Sequence, residues 1–373
     1  MDRLCTIIAQ NYMPQAMALL ESTREIYPDI EFYVLITDAT SRKQPLLESA
    51  QVLLPTDLDI DPEWLADMQS YYDPVEFATS LKPFLLSTLL TPSVSTVTFL
   101  DPDILLFSEL TQGFAAAKIS GIALSPHRLT PAELKGKKSG ELSFLKYGVF
   151  NLGYICVGQL GRPMLEWWGA RLRWFCTRFP NDVIFTDQKW MDLIPALFTF
   201  SVIRNFGYDV APWNINERKL FLNDNKLFAA NDELVFIHFS QMSSGLAAGN
   251  KTEHWKDALQ GAPEYADSLK LISKITDDYS EKLVAFGKII DANSAITMNK
   301  RISSVPSFHH RQRLIARSLG IPPKKRFISD NSLKHFGGIL KALERSATLN
   351  GLRSGLESDL SKMYQRLRSF FHR

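Results

Sequence analysis

Cysteine is scarce: Cys5, Cys156 and Cys176 are the only three in 373 residues, far apart and without a C-x-x-C pair. That count argues against both a disulfide framework and a cysteine zinc site, and a reducing compartment is expected. Charge of one sign is lacking too. There are 42 Lys and Arg against 40 Asp and Glu, net +2, so the average composition gives no sign of a dedicated nucleic-acid binder. No uncharged apolar run reaches the ~20 residues that span a bilayer. The opening MDRLCTIIAQ enters a strand-like run without the basic, apolar and small-residue regions of a signal peptide, so a cytoplasmic protein is expected. No internal repeat is visible. What remains is a chain with 45% hydrophobic and 22% charged residues, enough for one large core or two modest ones.

Its apolar pattern starts as strand, helix, strand: Leu4 to Ala9, Pro14 to Ile26, then Glu31 to Thr37 closed by Asp38. Such an opening predicts a parallel sheet that binds ligands at the carboxyl ends of its strands. A helix-like piece over Pro45 to Ala50, a strand over Gln51 to Leu54, and a helix over Pro74 to Leu90 despite Pro83 follow. Val94 to Leu100 is a further strand, ending at Asp101-Pro102-Asp103. Gly121 to Ser125 and Val149 to Gly158 have strand character, and between them His127 to Tyr147 has the polar, glycine-bearing composition of a mobile loop or lid. Pro163 to Phe179 reads as a Trp-rich helix, Asp187 to Leu193 as a helix start, and Leu234 to Phe239 as a last buried strand carrying His238. From about Tyr265 helical periodicity takes over. The expected division is a catalytic domain over 1–264 and a helical extension over 265–373, with a further break in the Pro/Lys stretch Ile321 to Arg326.

Asp101 and Asp103, spaced i, i+2 at a strand end, point two carboxylates the same way. They suit a hard divalent cation with open positions for phosphate oxygens, although an Asx turn also explains D-P-D. His238 adds an imidazole if it is not simply a satisfied core histidine, and the mixed oxygen and nitrogen set then suits manganese or magnesium.

The ordered motifs Ala9-Gln10-Asn11-Tyr12, LKPFLLSTLL, TFLDPDILLF, FNLGYICV, TDQKWMDLIP and FIHFS resemble the GT-A nucleotide-sugar glycosyltransferases. Within these the chain is most similar to glycosyltransferase family 8, the glycogenin and bacterial lipopolysaccharide galactosyl- and glucosyltransferase group, over roughly Leu4 to Ser240. The resemblance implies a Rossmann-like α/β fold with a mostly parallel central sheet flanked by helices. It implies that Ala9, Asn11 and Tyr12 hold the base and ribose of the donor, and that Asp101, Asp103 and His238 bind manganese bridging the donor diphosphate. Lys82, where the family usually carries Arg, would pair with a carboxylate or the donor phosphates. Asn151, with Asp187 and Gln188, would contact the donor sugar and flank the reacting carbon; seen singly, these are also a turn Asn and a helix N-cap Asp. Two departures stand out. Gln10 replaces an Asp common in the base-binding loop, leaving the base open although a UDP-hexose is favoured. HFSQMSSGLAAGNKTEHW replaces the Gly and Lys-Pro-Trp that usually follow the His, so Ser240, Ser243, Ser244, Gly245 or Lys251 would have to substitute.

The implied reaction is transfer of a hexose to a saccharide or lipid-linked saccharide with retention, as in bacterial surface polysaccharide assembly. No carboxylate nucleophile stands out, which favours front-face attack, with Asp187 as a transient nucleophile or acceptor-orienting group. Of the tryptophans, Trp167, Trp168 and Trp174 read as core packing on one helix; Trp190 and loop-borne Trp213 remain for stacking on a sugar, Trp213 the better placed.

The tail from Met298 onward carries 16 Lys and Arg against 4 Asp and Glu, net +12, and the residues before it carry −10. Leu352, Leu356, Leu360, Met363, Leu367 and Phe370 form an apolar stripe beside basic residues. Such a helix lies on an anionic membrane surface, at the inner face of the cell membrane, or docks on its own domain or a partner. Nucleic acid is not an expected partner. Two other functions fit parts of the sequence: a haloacid-dehalogenase-like phosphatase with Asp101 as nucleophile, against which Leu105 stands where Thr or Ser is expected, and a silent sugar-binding or scaffold subunit recruiting a transferase through the tail.

Overall fold

Near-continuous apolar segments become the strands of a seven-stranded sheet. They are β1 (Asp2–Ile8), β2 (Glu31–Ile36), β3 (Gln51–Leu53), β4 (Thr96–Leu100), β6 (Ile122–Pro126), β7 (Phe150–Gly158) and β8 (Ser201–Val202), in the order β3-β2-β1-β4-β7-β6-β8. The computed structural model describes residues 1–132, 140–177, 184–240, 253–259 and 263–292. These fall in a compact unit running from Met1 to Ser304; a second unit, Val305–Arg373, lies outside the described residues, and with it the apolar stripe of the basic tail.

Every residue of β4 and β7 is buried, as expected of strands covered on both faces. Period-two alternation in β1 sends Leu4 and Ile8 to one face, with Leu19 and Phe114, and Cys5 and Ile7 to the other, with Leu85 and Trp168. All three cysteines are buried. The α/β architecture with helices around a central sheet is the expected one, but the sheet is mixed. β3, β2, β1 and β4 are parallel, whereas β7 runs antiparallel to both β4 and β6. The antiparallel turn matters for the site: it brings the first residues of β7 beside the carboxyl end of β4, where the Asp101 N–H donates to the Gly153 carbonyl at 2.8 Å.

Several predicted elements are divided or shortened. The helix expected over Pro74 to Leu90 is two, Pro74–Ser80 and Lys82–Leu89, because Pro83 starts a first turn where its missing N–H costs nothing. The break sets Lys82 at a helix start. The Trp-rich helix ends at Leu172, and the segment after Asp187 is a 3-10 helix, Gln188–Leu193, leading into Ile194–Leu197. Within the supposed loop His127 to Tyr147, Glu141–Tyr147 is helical, and 133–139 lie outside the described residues. A hairpin of β9 (Leu220–Asn223) and β10 (Lys226–Ala229), flanked by β11 (Asp232–Glu233), was not foreseen. Its signal is the pair Asp224-Asn225, both at positive φ, as a two-residue hairpin turn requires.

The long helix Ala266–Ala292 packs within the unit that holds the sheet: Tyr279 stacks on Phe239 with centroids 4.2 Å apart, and Lys282 pairs with Glu21 at 2.7 Å. No described helix is long and apolar enough to cross a membrane.

Candidate functional site

A two-stranded ladder assembles the centre. β5 (Ile104–Leu106), directly after Asp103, pairs antiparallel with β12 (Phe236–His238), setting His238 opposite Ile104, and the Phe239 N–H donates to the Asp103 carbonyl at 2.8 Å. His238 Nε2 then lies 3.2 Å from Asp103 Oδ1 and 3.7 Å from Asp101 Oδ2. One ligand atom from each of the three residues falls within 4.8 Å of the others, the one such group found among the described residues. Two carboxylate oxygens and an imidazole nitrogen at that spacing fit a manganese or magnesium ion. On the far side of the ring, His238 Nδ1 is 3.3 Å from Asp209 Oδ1. Burial, the largest single influence, disfavours the imidazolium, but Asp103 and Asp209 together outweigh it and raise the His238 pKa to about 10.

The close approach of His238 to β7 needs a residue without a side chain. A Cβ on Gly153 would lie 2.4 Å from His238 Cε1 and 2.7 Å from Asn151 Oδ1. Asn151, nearly buried, accepts the Gly153 N–H at 2.7 Å and sits 3.4 Å from His127 Nε2.

Lys82 is 5% exposed and forms the second half of the site. Its Nζ reaches the Leu152 carbonyl at 2.7 Å, Asp187 at 3.1 Å and Asp101 at 3.3 Å, beneath the Phe99 ring. One hydrogen bond to the Leu152 carbonyl and two ion pairs hold the ammonium, so of the two roles implied for it the structure shows the carboxylate pairing. Burial pulls its pKa down, and the two carboxylates override that and raise it. Gln188 is likewise committed: Oε1 accepts the Leu152 N–H at 3.2 Å and Nε2 donates to the Tyr147 carbonyl at 2.9 Å.

Ala9, Asn11 and Tyr12 occupy the turn at the carboxyl end of β1, next to β4, closed by Tyr12 N–H to the Ala9 carbonyl at 2.8 Å. Asp38, at the end of β2, accepts the Gln10 N–H at 2.9 Å and fastens that turn. Asn11 is exposed there. Of the residues that would replace the missing diphosphate motif, Ser240 is described, and Ser243, Ser244, Gly245 and Lys251 lie outside the described residues. Trp168 is core, with Trp167 packed against Trp190. Trp213 stands edge-on to both His238 (5.5 Å) and His127 (5.4 Å).

Sequence reasoning missed Asp209, His127 and Gly153. His127 follows a predicted strand and Gly153 lies inside F-N-L-G-Y, so both were within reach; Asp209 sits in a segment with no strand signal. His127 is buried against Phe144 and Trp213, and burial lowers its pKa to about 4. The unfolded chain takes up a proton near pH 6.5 that the folded chain resists. The stabilisation is therefore complete above 6.5 and is lost as pH falls towards 4, about 3 kcal/mol in all. Urea titrations of wild type and His127→Gln across pH 4 to 7 should diverge in slope over that window, the variant losing less stability on acidification.

No family model matches the chain. Over 243 residues, 63% of this chain and 80% of the relative, it is 25% identical to the uncharacterized protein YfnF of Bacillus subtilis (strain 168). It is 25% identical over 250 residues, 63% of this chain and 76% of the relative, to the uncharacterized protein YfnD of the same organism. Among solved structures it is similar to the galactosyltransferase LgtC in complex with donor and acceptor sugar analogs, at 14% identity over 72% of this chain and 95% of that chain, with a TM-score of 0.44. It is also similar to mouse xyloside xylosyltransferase 1 in its apo form, at 11% identity over 65% of this chain and 98% of that chain, with a TM-score of 0.40.

Proposed function

We propose that this chain is a metal-dependent glycosyltransferase of GT-A type that moves a hexose from a nucleotide-diphosphate sugar, UDP-hexose foremost, to a saccharide acceptor. The observation that carries the reading is the convergence of Asp101, Asp103 and His238, with Lys82 and Asp187 alongside, at the carboxyl ends of β4 and β12. Open α/β sheets bind ligands there, where the strand order departs to either side of β1 and β4.

Asp101, Asp103 and His238 would hold manganese or magnesium, which when bound supplies positive charge to the oxygens of the departing diphosphate. Lys82 pairs with the carboxylates of Asp101 and Asp187 and fixes their direction without turning towards solvent. The Ala9–Tyr12 turn receives the nucleoside, and Asn151 and Asp187 line the approach to the sugar. Gln188, with both ends of its amide engaged by backbone, braces the start of β7 against the helix Glu141–Tyr147 rather than attacking the anomeric carbon. That favours retention by front-face attack. The acceptor oxygen bonds to the anomeric carbon as the bond to phosphate breaks, and the acceptor proton passes to the leaving phosphate. The basic tail supports a cytoplasmic enzyme held at the inner face of the membrane, meeting a lipid-linked saccharide.

The test is a thermal-shift panel of nucleotide diphosphates and their sugars with and without Mn2+, followed by proton NMR of the product's anomeric configuration. Metal-dependent stabilisation by one nucleotide and a retained anomer are expected. No stabilisation by any member would overturn the reading and favour a silent subunit.

A further inference from the structure

Asp209 has no place in the function proposed above, yet it is the most completely buried carboxylate beside the centre, at 0% exposure. The fold takes trouble to put it there. Val210 bridges to Ile237 in parallel, with the Val210 N–H donating to the Phe236 carbonyl at 3.1 Å and the His238 N–H to the Val210 carbonyl at 2.9 Å, so the backbone of 209–210 runs in register beside β12. Asp209 itself adopts a left-handed φ of 55°, a conformation that Asp, Asn and Gly tolerate and most residues avoid. Its carbonyl accepts the Asn214 side-chain N–H at 2.8 Å, and the Arg218 guanidinium donates to the neighbouring Tyr208 carbonyl. The carboxylate touches the site at one point: Oδ1 is 3.3 Å from His238 Nδ1, and Oδ2 takes no hydrogen bond among the described residues.

An imidazole can offer Nε2 to a cation only if the other nitrogen carries the proton, and a carboxylate at Nδ1 enforces that tautomer while adding negative charge behind the ring. We infer that Asp209 is a positioning residue for the cation site, fixing the ring of His238 through Nδ1 so that Nε2 faces the oxygens of Asp101 and Asp103. The inference rests on the metal-site reading above. It assigns Asp209 no contact with donor or acceptor, and it explains why a strained, buried carboxylate is kept where an apolar residue would pack at lower cost.

The experiment is a titration with Mn2+ alone, free ion being followed by electron paramagnetic resonance, on full-length wild type, Asp209→Asn and Asp209→Gly. Both substitutions keep the left-handed backbone. Asn restores the hydrogen bond through its amide oxygen but not the charge, and Gly restores neither. Circular dichroism without metal checks that each is folded. Dissociation constants should rise in the order Asp, Asn, Gly, with Gly weaker by roughly 10- to 100-fold. In a His238→Ala background, Asp209→Gly should cost at most about twofold, because the residue acts through the imidazole. Equal affinity in the three folded proteins overturns the inference and leaves the metal site standing, as does an equal loss with and without His238. Absence of saturable binding by wild type overturns both this inference and the metal-site reading.

Discussion

Asp103→Ala is expected to lower kcat/KM for sugar transfer by at least roughly 10³-fold, a loss of about 4 kcal/mol of transition-state stabilisation. Asp103 Oδ1 is the nearest of the ligand oxygens to His238, at 3.2 Å, and its carbonyl also anchors Phe239 in the ladder. The substitution deletes the carboxylate but leaves that backbone bond, so the fold is expected to survive while stabilisation by nucleotide and Mn2+ disappears. The assay has a built-in check on the imidazole. In the metal-free protein His238 holds a proton up to about pH 10, because the carboxylates outweigh burial, and a cation has to displace it. Mn2+ affinity of wild type should therefore climb with pH, by about tenfold per unit at most, below that value. The same proton has an opposite effect on stability without metal. Its contribution is complete below pH 6.5, the ordinary value of the ring, and fades as pH rises through about 10.

Lys82→Met should be the most destabilising single change at the site. The ammonium is nearly inaccessible and is the common partner of Asp101 and Asp187. Removing it strands the buried Asp187 carboxylate, a situation that costs about 3–5 kcal/mol, and takes one cation from the partly exposed Asp101, which keeps His238 at 3.7 Å. Chemical denaturation of metal-free protein should register that loss. Adding Mn2+ should recover part of it, since a cation beside Asp101 supplies some of the missing positive charge. A double substitution, Lys82→Met with Asp187→Asn, should be less destabilised than the sum of the two singles, because the stranded charge is gone. Destabilisation under about 1 kcal/mol, the level of an exposed ion pair, would mean that solvent already shares the site.

What the sequence disclosed follows from where the information resides. The opening β-α-β pattern and the buried runs of β4 and β7 are periodicities, legible in any sequence that must cover a sheet on both faces. The D-P-D pair and the strand-borne His238 are local signals with a distant partner, and only the β5–β12 ladder, a pairing between remote segments, brings them together. The direction of β7 could not be read, because a fully buried strand shows the same run in either orientation. Pro83 reads as an interruption within one helix but stands in the first turn of another, Lys82–Leu89. Asp209 left no trace because its role depends on a turn held by Asn214 and Arg218 rather than on any repeat or motif.

The ladder between β5 and β12 also sets an order of events. Asp101 and Asp103 leave the ribosome long before His238, and pairing segments so far apart has to meet the entropy of closing a long loop. A nascent or partly folded chain thus carries two carboxylates with no imidazole to complete them. If the three residues hold a cation together, its capture has to await the pairing of β12 with β5, so uptake of Mn2+ during refolding would report that pairing rather than the collapse of the chain.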